Sequence, residues 1–307
     1  MKIHRSIEGL SIQNPVITVG TMDGVHLGHQ LILKRLQEQA ERLNGESVLI
    51  TFWPHPRMVV HHQDIRLLNL LNEKILVLEA KTSIQHLVIL DFTKDLSQLP
   101  PQDFIATLLY PALRFKGFLV GYDHHFGRRR AGDFDLVQSL GQTMGFESFQ
   151  VEALQVEGDN VSSTKIRNAL AEGEVKKANA YLGYPYKLEG TIVKGDALGR
   201  TLGFPTANLQ IEPYKLLPAN GVYAVRAKVK NHDYNGMLNI GVRPTLKKQP
   251  VEPTVEVHLF DFEEDIYGQS LMLELCDFVR NEQPFSSLDA LKKQLQQDKL
   301  VVQSLLS

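Results

Sequence analysis

Residues 20–29 combine side chains and backbone freedom that suit a phosphate-binding site. The segment reads GTMDGVHLGH, and three glycines let a ligand approach the backbone closely: Gly20, Gly24 and Gly28. His26 and His29 lie three residues apart at the expected start of a helix, where free N–H groups and partial positive charge favour phosphate. Two imidazoles at that position can donate hydrogen bonds to charge developing on a phosphoryl oxygen. The segment therefore indicates chemistry on a phosphate group.

Two plainer interpretations of this segment stay open. It can be a glycine-rich turn that carries two surface histidines. It can also be a metal site, but zinc-binding helices of the familiar kind space their histidines four residues apart with a glutamate between them. Here the spacing is three and no acidic residue intervenes, which disfavours metal binding.

Residues 162–167, SSTKIR, form a second candidate. Ser163 or Thr164 can cap a helix, and the guanidinium of Arg167 can hold a polyphosphate. Taken alone, this segment is more typical of an ordinary helix start than of a binding site.

A third candidate lies in residues 190–209, GTIVKGDALGRTLGFPTANL. A glycine-rich loop that includes Gly195 and Gly199 leads to the rigid Pro205. Thr206 and Asn208 follow, and in an extended segment residues two apart present their oxygens in the same direction. Such hard oxygen ligands suit Mg²⁺, which usually keeps several waters and a nucleotide's phosphates as its other partners. By pattern alone, a glycine-rich β-turn with a proline is the stronger interpretation.

The first half of the chain alternates strands and helices that would position the first two candidates. Residues 15–20 and 47–52 read as buried strands, and residues 29–43 between them have helical spacing of apolar positions. This βαβ pattern predicts a parallel sheet with a right-handed crossover. Further strands are predicted at 87–90, 118–121 and 147–152, and further helices at about 69–81, 102–110 and 133–144. The fold class predicted is a doubly wound, Rossmann-like α/β domain.

The character of the chain changes after two short helices predicted within residues 163–182. Residues 187–280 are strand-like and punctuated by glycine, proline and asparagine, and 221–229 and 234–240 flank a turn predicted at 231–233. A final helix is predicted within 286–306. We therefore expect domains at 1–183 and 184–307, the second a barrel or sandwich of about six strands with a closing helix.

Composition narrows the class of protein further. The 307 residues carry a formal net charge of −2, so no excess of positive charge favours nucleic acid. No apolar run approaches the ~20 residues of a membrane span, and the opening residues lack the apolar stretch of a signal peptide. The single cysteine, Cys276, cannot form an internal disulfide. We expect a cytoplasmic protein with neither a nucleic-acid nor a membrane partner.

The HxGH of residues 26–29, set between a predicted strand and helix, resembles the nucleotidyltransferase superfamily, and SSTKIR matches that superfamily's second motif. TFWPHPR (51–57) and VGYDHHFGRRRAGD (120–133) are similar to the flavin-side loops of the bacterial bifunctional riboflavin kinase/FMN adenylyltransferases. The resemblance implies adenylylation of FMN by ATP to FAD and pyrophosphate. It implies catalytic roles for His26, His29 and Arg167. The ligand-binding residues it implies are Gly20, Asp23, Gly24, Gly28, Asp123, Ser163 and Thr164.

The second half resembles the riboflavin kinase domain of the same family. Its motifs here are the GxxLGxPTAN pattern ending at Asn208, NIGVRPT (239–245), VEVHLFDF (255–262) and IYG (266–268). The resemblance implies a six-stranded β-barrel that phosphorylates riboflavin with ATP and Mg²⁺. Thr206 and Asn208 would bind the metal, and Glu256 would be the base. Gly195, Gly199 and Pro205 would contact the nucleotide.

Three alternatives to a bifunctional enzyme are weighed against this resemblance: a nucleotidyltransferase with another acceptor, an enzyme with one active half, and a non-catalytic flavin sensor. The PTAN-containing domain argues against the first, because a small adenylyltransferase does not need it. Asn-Phe is common in the family where this chain has Thr21-Met22, a departure that bears on substrate affinity rather than on the class of reaction.

Overall fold

The computed structural model describes residues 1–60, 65–122, 125–152, 154–156, 159–194, 199, 202–230, 232–241 and 253–307. The chain divides into two compact units, Met1–Ile65 with Asn69–Ser162, and Arg66–Leu68 with Ser163–Ser307. Two predicted site residues, Asp123 and Gly195, lie outside the described residues.

The first unit is built on a six-stranded parallel sheet. Its strands are β1 (Lys2–His4), β2 (Val16–Val19), β3 (Ser47–Trp53), β4 (His86–Asp91), β5 (Gly117–Gly121) and β6 (Glu147–Val151), in the order β1-β4-β3-β2-β5-β6. Every residue of β2 and β5 is buried, as expected of central parallel strands that are covered on both faces. The predicted parallel sheet is confirmed.

Helices fill the crossovers between these strands. They are α1 (Leu27–Arg42), α2 (Pro56–Val60), α3 (Leu71–Lys81), α4 (Lys94–Gln98), α5 (Pro101–Asp103), a π-helical segment (Phe104–Leu109), α6 (Tyr110–Leu113), a 3₁₀ turn (Arg128–Arg130) and α7 (Phe134–Met144). α1 packs on β2, β3 and β5 and buries Leu33, Leu36 and Ala40, the positions its apolar spacing predicts. A short antiparallel pair, β7 (Gln155–Val156) and β8 (Asp159–Asn160), completes the unit.

The second unit contains a closed six-stranded antiparallel barrel. Its strands are β9 (Tyr186–Val193), β10 (Ala207–Ile211), β11 (Gly221–Val229), β12 (His232–Gly241), β13 (Thr254–Leu259) and β14 (Ser270–Arg280), in the order β10-β13-β12-β11-β14-β9 with β9 pairing back to β10. The helix α10 (Leu288–Leu306) closes it, and Ser287 caps that helix by accepting from the N–H of Ala290. The predicted barrel and closing helix are confirmed.

The two faces of the barrel strands bury different clusters. Val222, Ala224 and Met237 lie on the outer face and pack with Val302 and Leu306 of α10. The intervening residues point to the barrel interior and are buried as well: Tyr223, Val225, Leu238, Val257 and Leu273. The barrel wall is therefore apolar inside and, under α10, apolar outside.

The turn between β11 and β12 is tighter than the sequence predicts. Val229 pairs with His232 and Lys228 with Asp233, so the prediction that His232 and Asp233 belong to the turn is wrong. Lys230 has a φ of 47°, which a two-residue hairpin turn with the right-handed twist of its strands requires.

Two helices, α8 (Ser163–Ala171) and α9 (Val175–Leu182), pack with the barrel unit. The side chain of Asn179 donates to the Leu275 carbonyl at 2.9 Å and accepts from the Tyr186 N–H at 2.8 Å. The division between the compact units therefore falls after Ser162. The boundary at 183–184 stays a prediction.

In the described part of the chain, no helix is both long enough and apolar enough to span a bilayer.

Candidate active sites

The loop that follows β2 lies where a parallel sheet binds ligands. The strand order places β3 and β4 on one side of β2 and β5 and β6 on the other. The connections therefore reverse direction at β2, and its carboxyl end borders the crevice of the sheet. Gly20 extends the strand, because its N–H donates to the Ile50 carbonyl at 2.9 Å.

Three residues of this loop have positive φ: Met22 (47°), Gly24 (90°) and Val25 (37°). A β-branched residue rarely adopts that region, and such strain persists only where the surroundings hold it. Val25 is held on both sides: its N–H donates to the Met22 carbonyl at 3.1 Å, and its carbonyl accepts from the Gln30 side chain at 2.8 Å.

His26 is the N-cap of α1, and His29 lies in the first turn. His26 Nδ1 accepts from the backbone N–H of His29 at 3.4 Å. The two rings stack, with centroids 3.6 Å apart and planes 18° apart. A Cβ at Gly28 would lie 3.2 Å from two atoms of the His26 ring. Glycine at this position therefore lets the buried imidazole lie against the helix start.

Asp23 belongs to the same loop and is buried, as is Lys74 of α3, a residue that sequence reasoning missed. The N–H of Asn69 donates to Asp23 Oδ1 at 3.3 Å. Lys74 is buried, and its ammonium donates to the Thr21 carbonyl at 2.6 Å. Burial lowers the pKa of Lys74 to about 8, against the opposing effect of the Asp23 charge. The helical spacing does indicate that Lys74 is buried, because it lies three residues after the apolar Leu71 and therefore on the face that α3 buries.

The second motif lies on α8, in the other compact unit. The helix begins at Ser163, so both predicted capping residues, Ser163 and Thr164, are inside its first turn. Ser163 is half-buried and Thr164 is exposed. Arg167 is half-buried, and its Nε donates to the Arg66 carbonyl at 3.4 Å.

The third candidate centres on the start of β10. The N–H groups of Leu202 and Phe204 both donate to the Gly199 carbonyl, at 3.1 and 2.8 Å. A Cβ at Gly199 would lie 2.3 Å from the Phe204 carbonyl oxygen and 3.2 Å from the Thr206 hydroxyl. A tight turn thus brings Gly199 directly against Thr206.

Three polar residues form a row across the neighbouring strands. Asn208 of β10 is opposite Glu256 of β13, which in turn is opposite Asn239 of β12. Directly opposed residues lie on the same face of a sheet, and all three are half-buried. Asn239 belongs to the NIGVRPT motif but was not predicted as a site residue. What identifies Asn239 is its pairing with Glu256 across the sheet, and that pairing depends on residues distant in the chain.

Next to this row, His258 contacts the segment that precedes β10. Its Nδ1 lies 2.7 Å from the Pro205 carbonyl oxygen. Burial lowers the pKa of His258, with a smaller opposing effect from that hydrogen bond. No group of three or more His, Cys, Asp and Glu side chains within the described ranges is arranged to hold a metal ion.

A depression of about 480 Å³ lies at the opposite, amino end of the parallel strands. Its lining includes Lys2, Glu46 and His86. His4 and His86 contact each other there through ring nitrogens 2.9 Å apart, and His86 Nε2 lies 3.3 Å from a Glu46 oxygen. Parallel sheets bind ligands at their carboxyl ends, so this depression is not the candidate site.

Comparison with known proteins identifies both halves of the chain. A family model described as FAD synthetase matches residues 10–165, and one described as riboflavin kinase matches residues 182–306. These two matches define a two-part flavin-nucleotide transferase class.

Relatives that match along nearly the whole chain have the same two-part organisation. The bifunctional riboflavin kinase/FMN adenylyltransferase of Escherichia coli K12 is 38% identical over 98% of this chain and 96% of its own length. The Haemophilus influenzae protein of that name is 36% identical over 94% and 92%. A solved structure from Streptococcus pneumoniae, described as a macrolide-efflux protein, is 30% identical, covers 98% of both chains and has a TM-score of 0.86. The chain belongs to the bifunctional riboflavin kinase/FMN adenylyltransferase family.

Proposed function

We propose that this protein makes FAD in two steps, phosphorylation of riboflavin to FMN and adenylylation of FMN to FAD, with ATP as co-substrate in both. The observation that carries the proposal is that the two halves match separate family models for these two activities. Each half also holds a polar cluster suited to its own reaction.

The barrel unit catalyses the kinase step. The terminal ribityl hydroxyl of riboflavin attacks the γ-phosphorus of ATP, the bond to the β-phosphate oxygen breaks, and ADP leaves. A neutral alcohol is a weak nucleophile, so a carboxylate that takes its proton accelerates the attack. Glu256 is that carboxylate, and its place between Asn208 and Asn239 keeps it among groups that can bind polar ligands.

The residues at the start of β10 fit a magnesium ion. The Thr206 hydroxyl and Asn208 amide are hard oxygen donors two residues apart, and a magnesium site of this kind uses few protein ligands and several phosphate oxygens and waters. When bound, Mg²⁺ supplies positive charge that offsets the charge of the transferring phosphate. Gly199 and Pro205 shape the backbone around the nucleotide, and Gly195 is assigned to the same loop.

The first half of the chain, residues 1–183 in the predicted division, carries the adenylyl-transfer step. The phosphate of FMN is already ionised, so its oxygen attacks the α-phosphorus of ATP without a strong base, and pyrophosphate leaves. Hydrogen-bond donors and positive charge around the transition state are what this step needs. His26 and His29 donate from the start of α1, and Arg167 supplies a guanidinium. The assigned ligand-binding residues are Gly20, Asp23, Gly24, Gly28, Asp123, Ser163 and Thr164.

The small molecules of these reactions account for the motifs discussed, and the proposal requires neither a nucleic-acid nor a membrane partner. The cytoplasm is the proposed compartment, where ATP and a reduced Cys276 are both expected.

The test is incubation of the purified protein with Mg²⁺-ATP and either riboflavin or FMN, followed by chromatographic separation of the flavins. We expect FMN and then FAD from riboflavin, and FAD with an equivalent of pyrophosphate from FMN. FAD from FMN without conversion of oxidised or reduced riboflavin would leave only the adenylyltransferase. Binding of flavin with no conversion at all would instead support the sensor alternative.

A further inference from the structure

The contact between His258 and Pro205 has a defined polarity. A carbonyl oxygen only accepts hydrogen bonds, so at 2.7 Å the His258 Nδ1 must carry the proton and donate it to the Pro205 carbonyl. In the neutral ring, Nε2 is then unprotonated. The side chain is only 7% exposed, and a hydrogen bond shielded from water in this way is costly to remove.

Aromatic neighbours fix the orientation of this imidazole. The ring of Phe204 meets the imidazole edge-on, with ring centroids 5.3 Å apart. The ring centroid of Phe260 lies 5.6 Å from that of the imidazole. Both phenylalanines are buried. Rotation of the ring would break packing as well as the hydrogen bond, so Nδ1 stays directed at Pro205.

The segment that His258 holds is not held by strand pairing. β10 begins only at Ala207, so Pro205 and Thr206 precede its ladder. Proline has no N–H to donate, which leaves its carbonyl as the backbone group that can tie this point of the chain to β13. Thr206 follows Pro205 directly, and Asn208 comes two residues later.

The hydrogen bond to Pro205 comes from β13, the strand that also contains Glu256, the proposed base. His258 and Glu256 are two apart in β13 and therefore lie on one face. From this geometry we infer that His258 is a positioning residue of the riboflavin kinase site, which sets the Thr206–Asn208 segment against Glu256 through its bond to Pro205. The inference rests on the proposed kinase function.

Two isosteric substitutions separate this role from simple packing. The amide nitrogen of asparagine can occupy the place of histidine Nδ1, whereas that of glutamine corresponds to Nε2 and points away from Pro205. We expect His258→Gln to lower kcat/KM for Mg²⁺-ATP in the kinase reaction about tenfold, as loss of one buried hydrogen bond does. His258→Asn should remain within about threefold of the unmodified protein. Adenylylation of supplied FMN is the internal control and should be equal in all three proteins.

Two measurements on the nucleotide-free and metal-free protein test the contact without the reaction. Long-range ¹H–¹⁵N spectra of the imidazole should show the Nδ1–H tautomer of His258. Amide hydrogen exchange at Thr206–Asn208 should be faster in His258→Gln than in His258→Asn or the unmodified protein.

The outcomes distinguish this inference from the function on which it rests. If the unmodified protein does not phosphorylate riboflavin, the proposed kinase function fails, while the spectra and exchange rates still decide whether His258 holds the segment. An Nε2–H tautomer, or equal kinase rates for the Gln and Asn variants, overturns the positioning role. If thermal melting shows that His258→Gln is unfolded, the tautomer of the unmodified protein and the activity of His258→Asn decide whether His258 has the positioning role.

Discussion

His26 caps α1 and is also proposed as a hydrogen-bond donor to the transition state, and a neutral imidazole can serve both purposes in only one tautomer. Its Nδ1 accepts from the His29 N–H, so in the neutral ring the proton lies on Nε2. The cap and the donor are thus the same group. Protonation of Nδ1 would remove the acceptor and with it the cap of α1. Stacking against His29 places a second ring beside that donor, and the missing Cβ of Gly28 leaves room for both.

At the residue scale, a single substitution should impair one of the two proposed reactions and leave the other unchanged. We expect His29→Ala to lower adenylyl transfer about 10²-fold, the effect of removing one transition-state donor, with kinase activity unchanged. Glu256→Gln should lower riboflavin phosphorylation about 10²- to 10⁴-fold, the usual contribution of a general base, while FAD formation from supplied FMN continues. Initial rates of both reactions for both folded variants check this. Equal loss of the two activities in either variant would contradict the assignment.

At the scale of elements, α3 supports the loop that leads to His26. Its Lys74 reaches across to the Thr21 carbonyl and shares a buried environment with Asp23. This tie joins the helix to the loop whose strained residues, Met22 and Val25, precede the histidine pair. The loop therefore depends on a helix some fifty residues away in sequence, as the separation of Lys74 and Thr21 shows.

We expect Lys74→Met to destabilise the protein by about 1–3 kcal/mol, because it removes the donor of the buried hydrogen bond to the Thr21 carbonyl. The matched control is Lys81→Met, at the exposed end of the same helix, which should change the free energy of unfolding by less than about 0.5 kcal/mol. Denaturant unfolding measures both. A Lys74→Met protein as stable as the control would show that the buried tie does not support the fold.

The low pKa of Lys74 adds a pH dependence to the same comparison. The folded value is about 8 and the ordinary value 10.5, so between these the unfolded chain holds a proton that the folded protein has lost. The free energy of unfolding therefore rises with pH in this window. The stability gained by deprotonation of Lys74 is complete above 10.5 and is lost as pH falls to about 8. The stability difference between the unmodified protein and Lys74→Met should rise over that range.

The edge strand β1 is tied to β4 by a contact that titrates. Burial, His86 and Lys2, in that order, lower the pKa of His4 below 6.5, and Glu46 lies beyond His86. The contribution of His4 to stability is complete above 6.5 and is lost as pH falls through its lowered value. The Lys2 amide donates to the Gln85 carbonyl at 2.8 Å, and its protection factor, which corrects the exchange rate for the intrinsic effect of pH, should therefore decrease as pH falls below 6.5. His4→Gln keeps a hydrogen-bonding nitrogen without titrating, and it should flatten that response; an unchanged response would exclude His4 as its source.

The sequence predicts this fold more fully than it predicts either site. Periodicity locates the buried strands and α1, because burial on a parallel sheet constrains every residue of β2 and β5. The HxGH segment is local, so the placement of His26 and His29 together at a helix start can be predicted from spacing alone. Lys74, Asn239 and His258 were missed because their importance comes from partners distant in the chain. A lone lysine in a helix usually faces solvent, and strand register has no short-range signature.

At the scale of the whole molecule, the histidine pair proposed for adenylyl transfer and the residues proposed for the kinase step occupy different compact units, whereas Arg167 is in the second unit. His26 and His29 are in the first unit, whereas Thr206, Asn208 and Glu256 are in the second. A variant impaired in one cluster therefore keeps the other cluster intact. The product of the kinase step is also the acceptor of the adenylyl-transfer step, so two impaired proteins can complement each other only through FMN in solution.

We expect a mixture of His29→Ala and Glu256→Gln to convert riboflavin to FAD, although neither variant does so efficiently alone. The first supplies FMN and the second adenylylates it, so FAD should appear after a lag during which FMN accumulates, and dilution of both proteins should lengthen the lag. Chromatography of timed samples measures both flavins, and the single variants at the same total concentration are the controls. Accumulation of FMN without FAD, in a mixture whose Glu256→Gln protein still adenylylates concentrated FMN, would mean that FMN made at one site does not reach the other through solvent at a useful rate. The two clusters would then have to act within one molecule, and the independence argued from their separate units would be wrong.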